Sequence, residues 1–141
     1  MPCSCCSCNC KATLLAASLT TLHVTISGTG ACGWDGTYTL TWNGSLWRYQ
    51  NFSPPACSIQ NIVFDVTTGG AGSPCCMILR CDCVGCSFVG YAILIETSGT
   101  TNGTWASCNC STGNFVANPY SNSAFLCNCS SFTNISVSIS P

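Results

Sequence analysis

Alternation of apolar and hydroxyl side chains constrains this chain more than any other feature. Leu22, Val24 and Ile26 alternate with His23, Thr25 and Ser27, and Tyr38, Leu40 and Trp42 alternate with Thr37, Thr39 and Thr41. A period of two puts successive side chains on opposite faces of an extended strand, so each run predicts a strand buried on one side. Asn43-Gly44 follows the second run, and SLWRY then returns with Leu46, Trp47 and Tyr49. Both turn residues tolerate positive φ, so the dipeptide predicts a tight hairpin. Residues 59–66 predict another strand, with Ile62, Phe64 and Val66 on one face. In MILRCDC, Met77, Leu79, Cys81 and Cys83 share a face. Residues 87–96 form the longest apolar run and read as a central strand buried on both sides. Residues 132–139 close the pattern, with Ile135, Val137 and Ile139 between serines. Pro54-Pro55 and Asn102-Gly103 read as breaks, and only 12–18 suggests a helical turn. About eight or nine short strands predict an all-β, disulfide-rich sandwich or jelly roll over 19–141. A Cys-rich segment, 1–18, precedes it.

Sixteen of the 141 residues are cysteine. Cysteine at that density in a short chain marks a disulfide scaffold in an oxidising compartment. Cys32, Cys57, Cys75, Cys76, Cys81, Cys83, Cys86, Cys108, Cys110, Cys127 and Cys129 are the candidates for bonds within the chain. Two residues of a C-x-C pair on a strand lie about 7 Å apart on one face, too far to bond each other, and suit two partners on a neighbouring strand. The echoing CNCS segments at 108–111 and 127–130 are natural partners for such a double rung. Cys3, Cys5, Cys6, Cys8 and Cys10 crowd the first ten positions. Their spacing resembles the thiolate runs of metallothioneins, but the aromatic content of the chain does not, and an oxidising compartment removes thiolates. Crosslinking to the chain's own core or to a neighbouring subunit is the preferred reading of this cluster, with a segment of residues 1–27 pairing with that neighbour or bonding to it. Among these five cysteines at least one must bond outside the cluster, because the number is odd.

Seven charged residues and a formal net charge of −1 exclude a basic nucleic-acid surface. No apolar run is long enough to span a membrane as a helix. His23 is the single histidine, and Asp35, Asp65, Asp82 and Glu96 are scattered without a spacing suited to acid–base work. No dinucleotide or phosphate-binding glycine motif occurs, so the chain reads as a non-enzyme without cofactor, metal or catalytic residues. Trp34, Trp42, Trp47, Tyr49 and Trp105 supply the alternative, a secreted glycan-binding module that stacks sugars on aromatic faces. Six N-x-S/T sequons, at Asn43, Asn51, Asn102, Asn109, Asn128 and Asn134, are glycosylation candidates.

The stretch TLHVTISGTGACGWDGTYTLTWNGSLW resembles uncharacterised cysteine-containing β-rich proteins of planctomycete bacteria and some large phages. The shared features are a strand running into a glycine turn, a cysteine, the D-G-T-Y-T-L-T-W run and its hairpin, together with the closing ISVSIS. The resemblance implies an extracellular or virion structural role and no active site. The sequence as a whole thus points to a self-assembling structural subunit of an extracellular fibre or virion surface, a homo-oligomer or polymer, disulfide-stabilised and a candidate to carry glycans.

Overall fold

The computed structural model describes residues 10–55, 57–66, 77–83, 92–96, 102–122 and 132–141. A short helix, α1 (Cys10–Ala16), leads into ten strands. These are β1 (Thr21–Ser27), β2 (Gly36–Trp42), β3 (Trp47–Gln50), β4 (Ile59–Asp65), β5 (Ile78–Cys83), β6 (Ile93–Glu96), β7 (Gly103–Asn109), β8 (Asn114–Ala117), β9 (Tyr120–Asn122) and β10 (Phe132–Ser140). The all-β class holds, and the Asn43-Gly44 turn joins β2 to β3 as expected, with Trp42 opposite Trp47.

The sheet closes on itself. Each strand from β1 to β8 pairs with the next, β8 pairs with β10, and β10 returns to β1. This nine-stranded barrel replaces the sandwich or jelly roll. One-sided alternation is the same in both architectures, and a single long-range ladder decides between them. That ladder sets Val24 opposite Ile139 and Ile26 opposite Val137. It also leaves β1 no free edge for a neighbour's strand, because β1 is already paired on both sides, with β2 and β10.

Nine is an odd number, and a closed ring of purely antiparallel neighbours needs an even one. One seam must therefore be parallel, and it is β6–β7, where Ile95 lies opposite Gly103. β9 extends β8 along the same edge of β10. Val116 faces Ser138, and beyond Pro119 Tyr120 faces Ile135. A register shift falls between Phe132 and Ile135, where Asn134 takes a positive φ of 50°. This bulge lets both Phe132 and Ile135 face the core.

The interior is filled with side chains. Leu22, Val24 and Leu40 meet Ile62, Phe64, Leu79, Ile93 and Ile95 there, all fully buried. Phe64 sits in the aromatic centre, with ring centroids 5.2 Å from Phe115, 6.1 Å from Trp105 and 6.2 Å from Trp47. Each buried indole N–H has an acceptor. Trp47 donates to the Leu19 carbonyl (2.8 Å), Trp34 to that of Cys57 (2.9 Å) and Trp105 to that of Met77 (3.3 Å).

Both ends are stoppered. At one, α1 buries Leu14 in the common core, and a disulfide joins Cys10 to Cys110, just past β7. At the other, the β1–β2 connection inserts Trp34 edge-on against Phe132, with 5.8 Å between centroids.

Gly103 shows how tight the packing is. Asn102-Gly103 reads as a turn in the sequence, but Gly103 opens β7 and its missing side chain would point inward. A Cβ there would lie 2.8 Å from Tyr120 Cδ2 and nearer still to Ile95 Cδ1. Gly103→Ala is expected to destabilise the barrel by about 1–3 kcal/mol, the usual size for overpacking. A lower urea midpoint at unchanged m-value would show it; an unchanged midpoint would mean the ring of Tyr120 yields freely.

Candidate interaction surface

With the interior packed, the places left for function are on the outside, and charge is unevenly spread there. Arg48, Asp65, Arg80, Asp82 and Glu96 occupy outward positions on β3 to β6. None of the five is exposed: Glu96 is buried, and the other four are half-buried. Neighbouring outward residues Val63 and Ile78 are buried as well. Arg48 Nε donates to Asn61 Oδ1 at 2.8 Å, and Asn102 Nδ2 donates to Glu96 Oε2 at 2.7 Å. Burial pushes the Asp82 carboxyl up, against its own backbone hydrogen bond, Arg48, Asn61 and Arg80. Lys11 is half-buried, with Nζ 5.2 Å from the centroid of Trp42. Asp35 is the one exposed charged side chain of the seven.

Asp35 is itself committed to the β1–β2 connection. Its Oδ1 accepts from the Thr29 N–H (2.8 Å) and the Thr29 hydroxyl (2.6 Å), and its Oδ2 accepts from the Gly28 N–H (3.2 Å). The Thr29 hydroxyl accepts in turn from the Trp34 N–H, and the Tyr38 hydroxyl donates to the Trp34 carbonyl. The Thr29 hydroxyl and N–H hold the Asp35 carboxyl below its usual range, opposed by partial burial and aided by the Gly28 N–H. A carboxyl lowered in the folded state contributes stability that is present above its ordinary value and lost as pH falls through the lowered one. Asp35→Asn is expected to cost about 1 kcal/mol at neutral pH, the size of a capping side chain reduced by solvent screening. It should also flatten the loss of stability expected of wild type below about pH 4. Thermal melts from pH 2 to pH 7 would check this, and parallel curves for the two proteins would refute it.

The outward positions of β10, β1 and β2 carry no charged residue, Arg48 on β3 lying next to Thr41 at their border. On β10, β1 and β2 the outward positions form in-register rows. Ser138, Thr25 and Thr37 lie side by side, then Ser140, His23 and Thr39, flanked by Ser136 with Ser27 and by Thr21 with Thr41. The Thr25 and Thr37 hydroxyls are 3.2 Å apart. Val116, 46% exposed on β8, extends the central row next to Ser138. A wall that is polar outside and apolar inside is the inverse of a lipid-facing barrel. Among the described residues no helix is long and apolar enough to cross a membrane.

The cysteines selected from the sequence divide three ways. Cys10, expected to bond the chain's own core or a neighbouring subunit, is bonded within the chain to Cys110. That bond also removes Cys110 from the expected CNCS double rung. Cys32, Cys83 and Cys108 are disulfide-bonded as expected. Cys57 and Cys81, expected to be bonded, are free thiols. Cys81 points into the barrel opposite Ile62 and Ile93, fully buried, and that burial pushes its thiol far up, out of reach of ionisation at neutral pH. Cys3, Cys5, Cys6, Cys8, Cys75, Cys76, Cys86, Cys127 and Cys129 lie outside the described residues. Among the described residues no group of three or more His, Cys, Asp or Glu could hold a metal ion.

The aromatic side chains are mostly spent on the core. Trp34 and Trp47 are completely buried and Trp105 is 4% exposed. Half-buried Trp42 packs on Trp47, and Tyr49 packs edge-on against Tyr38. Burial, with Tyr49, Cys81 and Asp35 nearby, pushes the Tyr38 hydroxyl up to about 12. The sugar-stacking faces required by the glycan-binding alternative are thus largely inside. Among the described residues the large aromatic outside is Phe52, in the β3–β4 connection, which no sequence periodicity marks.

The sequons also separate by geometry. Asn43 and Asn109 are exposed, and each uses Oδ1 to accept backbone N–H groups of its own turn. Asn134 is exposed at the bulge. Asn51 is half-buried, with Oδ1 on the Ser53 N–H. Asn102 spends its Nδ2 on Glu96, and Asn128 lies outside the described residues. Comparison with known protein families, characterised proteins and solved structures gives no match to this chain.

Proposed function

We propose that this chain is a structural building block: a self-associating, disulfide-stabilised subunit of an extracellular fibre or virion surface. One observation carries the reading. Of seven charged side chains only Asp35 is exposed, so the described surface presents little charge. Soluble monomers ordinarily keep charge on the surface to repel their own copies, and a neutral surface promotes association. The packed interior and stoppered ends support a load-bearing unit over a container for a ligand. The Cys10–Cys110 bond is at home in an oxidising compartment. Cys3, Cys5, Cys6 and Cys8 are the remaining candidates for covalent joints between subunits.

The test is an intact mass and non-reducing gel of material from its source, alongside light scattering across concentration. Assembly predicts species above 14.7 kDa, of which covalent ones collapse on reduction. Residual excess mass after reduction would report glycans. A single 14.7 kDa species at every concentration, with or without reductant, would refute the proposal.

A further inference from the structure

We propose that the hydroxyl wall of β10, β1 and β2, bordered by Val116, is a self-association face whose occupant is the same face of a second copy. This rests on the building-block reading and specifies where one contact lies.

The chemistry of the wall selects the partner. A hydroxyl is at once donor and acceptor, whereas ammonium groups only donate and carboxylates only accept. A face built almost wholly of Ser and Thr is therefore complementary to itself in any orientation that brings two such faces together. A two-fold contact requires that property, because the same patch must serve both sides. Charge distribution agrees. Any charged residue on a two-fold face meets its own copy or is desolvated by it, and the rows of the wall hold none: five of the seven charged residues sit on β3 to β6, Arg48 bordering Thr41, while Asp35 lies at the end of the wall in the β1–β2 connection and Lys11 lies on α1. Apolar surface is available too: the threonine methyl groups lie among the hydroxyls, and Val116 is one of the two large hydrophobic side chains the described surface exposes.

Area sets the strength. Three strands about 4.8 Å apart and seven residues of about 3.4 Å each give a footprint on the order of 300 Å² per copy. Permanent interfaces bury about 800 Å² per partner. The contact is therefore a reversible one that populates with concentration. It closes as a pair, so extension into a filament needs a second joint.

The decisive experiment is sedimentation of the oxidised full chain over a wide concentration range, reading the concentration-dependent part of the average mass. Thr39→Glu and Thr25→Lys place a charge in the middle rows, Thr39→Ser keeps the hydroxyl, and Ala106→Glu places a charge on exposed β7, outside the wall. Circular dichroism verifies folding of each, and the two wall variants stand in for one another if either unfolds. The expected result is that wild type, Thr39→Ser and Ala106→Glu gain mass with concentration while Thr39→Glu and Thr25→Lys stay at 14.7 kDa. Association that survives both wall charges overturns the wall as the contact and leaves the building-block reading standing. A wild type that remains at 14.7 kDa throughout overturns both.

Discussion

Removing the Cys10–Cys110 bond by replacing both residues with alanine is expected to cost about 2–4 kcal/mol of unfolding free energy. The bond spans 100 residues, and a loop of that length in an otherwise unlinked chain corresponds to about 4.7 kcal/mol of closure entropy. Cys32, Cys83 and Cys108 are also bonded, so the unfolded chain is already restricted and the effective loop is shorter. Two small cavities add to the loss, because Cys10 is buried and Cys110 packs against the core. Urea titration of the oxidised double variant against wild type measures it. A change under about 1 kcal/mol would show that the other disulfides make this one redundant.

Phe64→Ala is expected to cost about 3–5 kcal/mol, the usual range for deleting a buried aromatic ring. Phe64 is fully buried and touches the rings of Trp47, Trp105 and Phe115, which come from three other strands. No single neighbour can move in without leaving a gap elsewhere. The tryptophan emission should shift as Trp47 and Trp105 lose this contact, while Ala106→Ser on the exposed side of β7 should change stability by less than about 0.5 kcal/mol. A loss below about 1.5 kcal/mol for Phe64→Ala would contradict a single packed core.

Local pattern made the strands legible and long-range pairing kept the architecture hidden. The alternation through Leu22, Val24 and Ile26 and through Leu40 and Trp42, with Asn43-Gly44 between strands, identifies β1, β2 and the hairpin into β3, because register and face are set within a few residues. Closure depends on β1 meeting β10 across more than a hundred residues, and neither run encodes its partner. Gly103 escaped for a related reason. Asn-Gly is a turn signal in isolation, and only the approach of Tyr120 and Ile95 shows that a side chain is excluded there. The free state of Cys81 could not be read from C-x-C spacing, since bonding depends on which thiol lies opposite and Cys81 faces Ile62 and Ile93. The surface was legible in part. Low charge is plain in the composition, but the withdrawal of Arg48, Arg80, Asp65 and Asp82 from full exposure appears only once β3 to β5 are placed side by side.

The place of β10 in the ring bears on what the Cys10–Cys110 bond joins. This strand fits between β8 and β1, and it follows the other strands of the barrel in chain order. Until it arrives, the sheet is an open ribbon with β1 and β8 as its two bare rims. Cys10 precedes one rim by eleven residues and Cys110 precedes the other by four, and both are made before residue 132. If they link before β10 docks, the bond would hold the two rims of the gap near each other. The bond would then act as a clasp, leaving closure to the docking of one nine-residue segment.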